Sequence, residues 1–91
     1  MTHAEQIMTA VAVLTKQGKH TFARVDVRDA IGLSHDDWLA GYTAVFQGMR
    51  VDQPGGAPNV GDRFKNVFRR VRRGVFELTA YGHELLQEFM R

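Results

Sequence analysis

The sequence predicts a mainly α domain with one small β-hairpin, an α+β chain whose elements run α-β-α-α-β-β-α. Three observations carry this. Apolar residues recur at helical spacing, most plainly Ala4, Ile7, Met8, Val11 and Leu14. Hydroxyl residues stand just ahead of helical segments, where backbone N–H groups need acceptors: Thr2, Ser34 and Thr79. The run FKNVFRRVRRGVFELT, residues 64–79, changes to the pattern of two strands around Arg72, Arg73 and Gly74.

The first helix opens at Thr2, and Glu5 three residues on completes a capping box. Gly18 stops it, because glycine takes the left-handed conformation that ends helices without a steric penalty. His20 to Phe22 read as a short extended piece with Phe22 facing the core. Val27, Ala30 and Ile31 mark a short second helix stopped by Gly32, with Ala23 where a capping residue is usual. Leu33 tucks into the core. Ser34 opens a third helix and forms a second capping box with Asp37, and Asp36 and Asp37 suit the positive end of the helix dipole.

Trp38, Tyr42, Val45, Phe46 and Met49 share one face of that helix and read as core. The opposite face holds Asp36, Ala40, Thr43, Ala44 and Gln47, with Arg50 at its edge. Gly41 and Gly48 lie on its flank. Each costs about 1 kcal/mol relative to alanine inside a helix, so they read as points of close backbone approach, or as a helix that ends early. Residues 51–62, VDQPGGAPNVGD, form a loop with both prolines of the chain; the Pro54–Pro58 stretch is either functional or a tether. Strands over 67–72 and 75–79 follow, with Phe76 and Leu78 on one face and Glu77 on the other. Thr79 caps a last helix over 80–91, where Leu85, Leu86, Phe89 and Met90 make an apolar strip.

With 91 residues the chain reads as a single domain, 1–91, with one core. It has no cysteine, which removes disulfides and thiolate chemistry and makes a reducing compartment the default. No apolar run approaches the roughly 18 residues that span a bilayer. The N-terminal stretch has no basic leader and carries Glu5, so no signal peptide is expected, no membrane partner is expected, and the expected location is cytoplasmic. His3, His20, His35 and His83 lack metal-ligand spacing. The neighbours His35, Asp36 and Asp37 diverge by about 100° per residue on a helix and do not converge on one point. Ser34 is the only serine and is used as a cap, and PGGAP lacks the lysine of a phosphate-binding loop. No metal, cofactor or enzymatic activity is expected.

The formal net charge of +2 conceals an asymmetry. Residues 50–73 hold Arg50, Arg63, Lys65, Arg69, Arg70, Arg72 and Arg73 against only Asp52 and Asp62, while the flanking segments are each net acidic. Such clustering is the footprint expected for a polyanion such as nucleic acid; its plain alternative is a solvated basic hairpin. Strand alternation sets 69 and 71 opposite 70 and 72 unless a bulge intervenes, so only some of these arginines face one ligand.

VDVRDAIGLSHDDW followed by FRRVRRGVFELT, in this order of elements, resembles the winged helix-turn-helix family over nearly the whole chain. Ile31-Gly32-Leu33-Ser34 matches the family's turn, and FRRVRRGVFELT its wing. Arg28 stands where the family usually has a small residue. The resemblance implies a DNA-binding protein, a transcriptional regulator or an accessory of DNA metabolism, with double-stranded DNA as partner. It implies a homodimer through the first and last helices, since such proteins commonly pair on two half-sites. The third helix would enter the major groove, where Ser34, Thr43, Gln47 and Arg50 are the side chains to position or read. Gln47 would bind adenine in a bidentate manner, and Arg50 would reach guanine or phosphate. Arg69, Arg70, Arg72 and Arg73 would meet the backbone, with Arg63 and Lys65 extending the footprint. Asp36 and Asp37 motivate a second reading, a protein-interaction module of the same fold without DNA binding, since carboxylates at the start of the third helix repel phosphate.

Overall fold

The structure is a computed structural model and describes residues 1–90. Helix α1 spans His3–Lys16 and begins with the expected capping box. Glu5 N–H donates to Thr2 Oγ1 at 3.2 Å, and Thr2 N–H donates to Glu5 Oε1 at 2.9 Å. The backbone bond from Thr2 holds the Glu5 carboxyl below its ordinary pKa. Gly18, at φ +83°, makes the left-handed exit. Helix α2 spans Arg24–Ile31. Ala23 has no side chain to cap it, and Asp26 supplies the other half of the arrangement by accepting Ala23 N–H at 2.8 Å. Gly32, at φ +90°, ends α2 as predicted, and Leu33 packs half-buried against the core.

The helical column over residues 35–48 departs from the expectation of one regular helix. It consists of α3 (His35–Asp37), a π-helical turn (Trp38–Tyr42) and α4 (Thr43–Gly48). Gly41 sits inside the turn at φ +155°, a conformation that side-chain-bearing residues rarely adopt. A π turn inserts about one extra residue and so rotates one half of the column against the other by about 100°. Trp38, Phe46 and Met49 still reach the core. Tyr42 lies at its edge, with its hydroxyl donating to Gln6 Oε1. Leu39, by contrast, is 54% exposed. The second capping box is one-sided: Asp37 N–H donates to Ser34 Oγ at 3.1 Å, and Asp37 returns no bond.

Gly48 is a close approach, as expected. A Cβ there would lie 2.7 Å from Pro58 O and 2.8 Å from Val60 Cγ1. The loop is therefore folded back on the column, with a turn closed by Ala57 N–H to Pro54 O at 3.2 Å.

Strands β1 (Phe68–Arg72) and β2 (Val75–Leu78) form an antiparallel hairpin. Each predicted strand loses one outer residue. Val67 N–H turns to Met49 O at 2.8 Å, and Thr79 accepts Gly82 N–H at 2.9 Å as the cap of α5. Phe22 makes a single antiparallel bridge with Phe76, with bonds of 2.9 and 2.8 Å. The expected extended piece is thus present as one bridge on the outer side of β2.

Helix α5 spans Ala80–Leu86 and passes into a 3-10 turn, Gln87–Phe89, so it is shorter than the predicted 80–91 helix. A Cβ on Gly82 would lie 2.3 Å from Val67 O, which shows how tightly α5 lies on the start of β1. The strip expected to mediate dimerisation faces inward instead. Leu85 and Leu86 are buried in the chain's own core, with Phe89 and Met90 packed against it.

At the centre, the Phe46 ring stacks on Phe68 at 4.6 Å and meets Phe76 edge-on at 5.1 Å. Such pairs contribute about 0.5–1.5 kcal/mol beyond their buried area. They fasten α4 to both strands. No helix among the described residues is long and apolar enough to cross a membrane.

Candidate nucleic-acid interface

The seven cations of residues 50–73 do not form one patch, because the fold gives several of them carboxylate partners. Arg63 pairs with Glu88 at 2.7 Å, and its guanidinium lies 5.1 Å from the Phe64 ring centre and 5.6 Å from that of Phe89. Glu88 and Phe89 belong to the 3-10 turn that follows α5. Lys65 pairs with Asp62 at 3.4 Å. Arg69 is bound by Glu77, its cross-strand neighbour. Arg70, Arg72 and Arg73 remain exposed and form no ion pair among the described residues.

The register explains where these three go. Arg70 pairs with Phe76 and Arg72 with Val75, so Val71 is the extra residue of a β-bulge. Without the bulge, Arg70 and Arg72 would share a face. With it, Arg72 moves to the face of Arg69, Val75 and Glu77, while Arg70 lies on the face of Phe76. The two faces of the hairpin tip each carry a free guanidinium, and Val71 is 45% exposed between them.

The end of the helical column joins this surface through Arg50. Its Nε donates to Asp52 Oδ1 at 3.1 Å and its Nη2 to Asp52 Oδ2 at 2.8 Å, a two-pronged fork. Its Nη1 donates to Gln47 Oε1. Its guanidinium also lies 5.1 Å from the Phe76 ring centre. Only 11% of the Arg50 side chain is exposed. The bond from Arg50, aided by the charge of Arg70, holds the Asp52 carboxyl below the usual carboxylate range. Gln47, Arg50, Asp52 and Arg70 therefore form one contiguous group around Phe76.

The other expected positions are more scattered. Ser34 is exposed and serves as the cap of α3. Thr43 is half-buried and lines a groove of about 270 Å³ between α2 and the column, with Arg24, Arg28, His35 and Leu39. Arg28 is tied to Asp29 at 3.0 Å. Ala40 and Ala44 are exposed, leaving a slender face, and Asp36 and Asp37 are exposed beside it.

Sequence reasoning missed Asp52. An acid two residues after an arginine at a helix end is a legible signal for a fork, although nothing local says that the arginine will turn back towards it. The bulge at Val71 left no comparable trace. Among the described residues no group of three His, Asp or Glu side chains could hold a metal ion.

Compared with family models, curated proteins and solved structures, the chain matches none.

Proposed function

We propose that the protein binds duplex DNA as a winged helix-turn-helix module, acting in transcription or as an accessory of DNA metabolism. The column over 35–48 faces the major groove, and the hairpin arginines meet the phosphate backbone. One observation carries the reading: Arg70, Arg72 and Arg73 are exposed and form no ion pair among the described residues, while Arg63, Lys65 and Arg69 beside them are paired. Arg72 and Arg73 adjoin at the tip and Arg70 lies on its other face, and like charges this close without ion-pair partners are unfavourable unless a polyanion supplies them. The Phe22 bridge beside β2 and the small side chains Ala40 and Ala44 agree with it, the first by matching the expected order of elements, the second by leaving room for a groove wall. A pair of copies on two half-sites would have to meet through α1, where Val13 is exposed, since Leu85 and Leu86 are consumed by the core.

The test is fluorescence anisotropy of a labelled random-sequence duplex at about 50 and 200 mM salt. Three displaced phosphate counterions give a log–log slope near −2.7, so affinity should fall about fortyfold across that range. Binding that ignores salt, or no binding at the lower concentration, would sink the reading. A second reading, a protein-docking module without DNA binding, is favoured by one observation: Asp36 and Asp37 are exposed and free of ion pairs among the described residues. Reversing Arg70 and Arg72 to glutamate abolishes binding under the first reading and leaves partner capture intact under the second.

A further inference from the structure

The resemblance gives Gln47 the task of binding adenine through its donor and acceptor together, and the geometry at the end of α4 argues otherwise. Arginine carries only N–H donors, so the atom of the Gln47 amide that faces Arg50 has to be the oxygen. The amide NH2 is then the free end. No buried side-chain nitrogen or oxygen among the described residues lacks a partner, and Gln47 Nε2 has none, so this nitrogen reaches solvent. The Asp52 fork keeps the guanidinium in place, and stacking over Phe76 limits its rotation. Arg70, which pairs with Phe76 across the hairpin, adds further donors and positive charge on the same side.

Resting on the DNA-binding reading, we propose that Gln47 and Arg50 form a donor-rich edge, fixed by Asp52, that selects guanine over adenine in the major groove. Guanine shows two acceptors there, N7 and O6, and cytosine's amine lies on the other strand's base. Adenine shows one acceptor, N7, and one donor, its N6 amine. To pair in the bidentate manner, that amine would have to use the second lone pair of the Gln47 oxygen, where its hydrogens would face the N–H groups and the positive charge of Arg50. Guanine O6 meets no such conflict. Asp52 acts here as a positioning residue, touching Arg50 and not the base.

The experiment is selection from a randomised duplex pool with the purified full chain, in the wild type and in Gln47→Glu. The wild type should enrich guanine at a fixed position. Replacing that guanine by 7-deazaguanine, which removes N7 and keeps the base pair, should weaken wild-type binding about tenfold. Gln47→Glu turns the donor end into an acceptor and should shift the preference from guanine to cytosine, whose N4 amine donates. Enrichment of adenine by the wild type, indifference to 7-deazaguanine, or salt-dependent binding with no preferred base would overturn the donor-edge proposal while leaving DNA binding in place. Retention of no duplex at all would overturn both. The 7-deazaguanine measurement uses only the unmodified chain, so it decides the question even if Gln47→Glu folds poorly.

Discussion

Arg50 and Arg72 bear the same guanidinium in the same basic segment, yet their surroundings differ in every respect. Arg50 is 11% exposed, held by Asp52 and Gln47, and laid over Phe76. Arg72 stands at the hairpin tip, exposed, next to Arg73 and without an ion pair to any described carboxylate. The comparison teaches that a cluster of cations in a sequence counts charges, whereas the pull on a polyanion depends on which charges the fold leaves unspent. Exposed ion pairs are worth little individually, but each one withdraws a cation from the surface that a phosphate sees. Arg63, Lys65 and Arg69 are withdrawn in this way, by Glu88, Asp62 and Glu77.

The largest effect that would break the comparison is on binding. Reversing Arg70, Arg72 and Arg73 together to glutamate should lower duplex affinity at about 50 mM salt by a hundredfold or more and flatten the salt dependence. Urea denaturation should show only a small change in stability, about 1 kcal/mol or less, because these side chains are exposed and form no ion pair among the described residues, Arg70 acting on Asp52 through its charge alone. A similar loss of affinity on reversing Arg63 and Lys65 instead would contradict the division into spent and free charges.

Next comes the support beneath the hairpin. Gly82→Ala places a Cβ 2.3 Å from Val67 O, and backbone faces backbone there. The expected loss of stability is about 3 kcal/mol, read from the denaturation midpoint. The fraction still folded should keep the wild-type salt slope.

Arg50→Ala should cost about 2 kcal/mol of stability, through the lost fork and the uncovered Phe76 ring. Arg72→Ala should fall within about 0.5 kcal/mol. Equal effects for the two would mean that Arg50 is no more integrated than its counterpart at the tip. Arg50→Lys should fall between them, since an ammonium cannot reproduce the planar two-pronged contact.

The smallest effect is the pH dependence carried by Asp52. Its pKa in the folded chain lies below the ordinary value of 3.8, so the unfolded chain binds the proton more readily. The resulting stabilisation is complete above that ordinary value and is lost as pH falls below it, through the depressed folded value. Wild type and Asp52→Asn should therefore differ in stability at neutral pH and converge in acid. A gap that widened towards low pH would reverse the sign of the argument.

Much of the fold is legible in the sequence. Thr2 with Glu5, Ser34, Thr79 and the stops at Gly18 and Gly32 are signals whose partners lie within a few residues, and each element begins or ends where they place it. Phe22, Phe46, Phe76 and Leu78 are buried as their spacing predicts. The candidate site is legible only as a set of cations. The departures share a cause: periodicity admits a break in the 35–48 column, a bulge in the hairpin and a last helix that closes the core, but it chooses none of them and locates none.

By itself, then, the sequence determined the order and kind of the elements, because caps, turn glycines and hydrophobic period act over distances of one or two turns. The tertiary structure alone decided the π turn at Gly41, the bulge at Val71, the burial of Leu85, and which arginines stay free. Those outcomes rest on neighbours brought together from across the chain. Glu77 answers Arg69 across a hairpin and Glu88 answers Arg63 from the 3-10 turn after α5. An ion pair or an inserted residue is settled by the distances that packing imposes, and those distances are written in no local stretch of sequence.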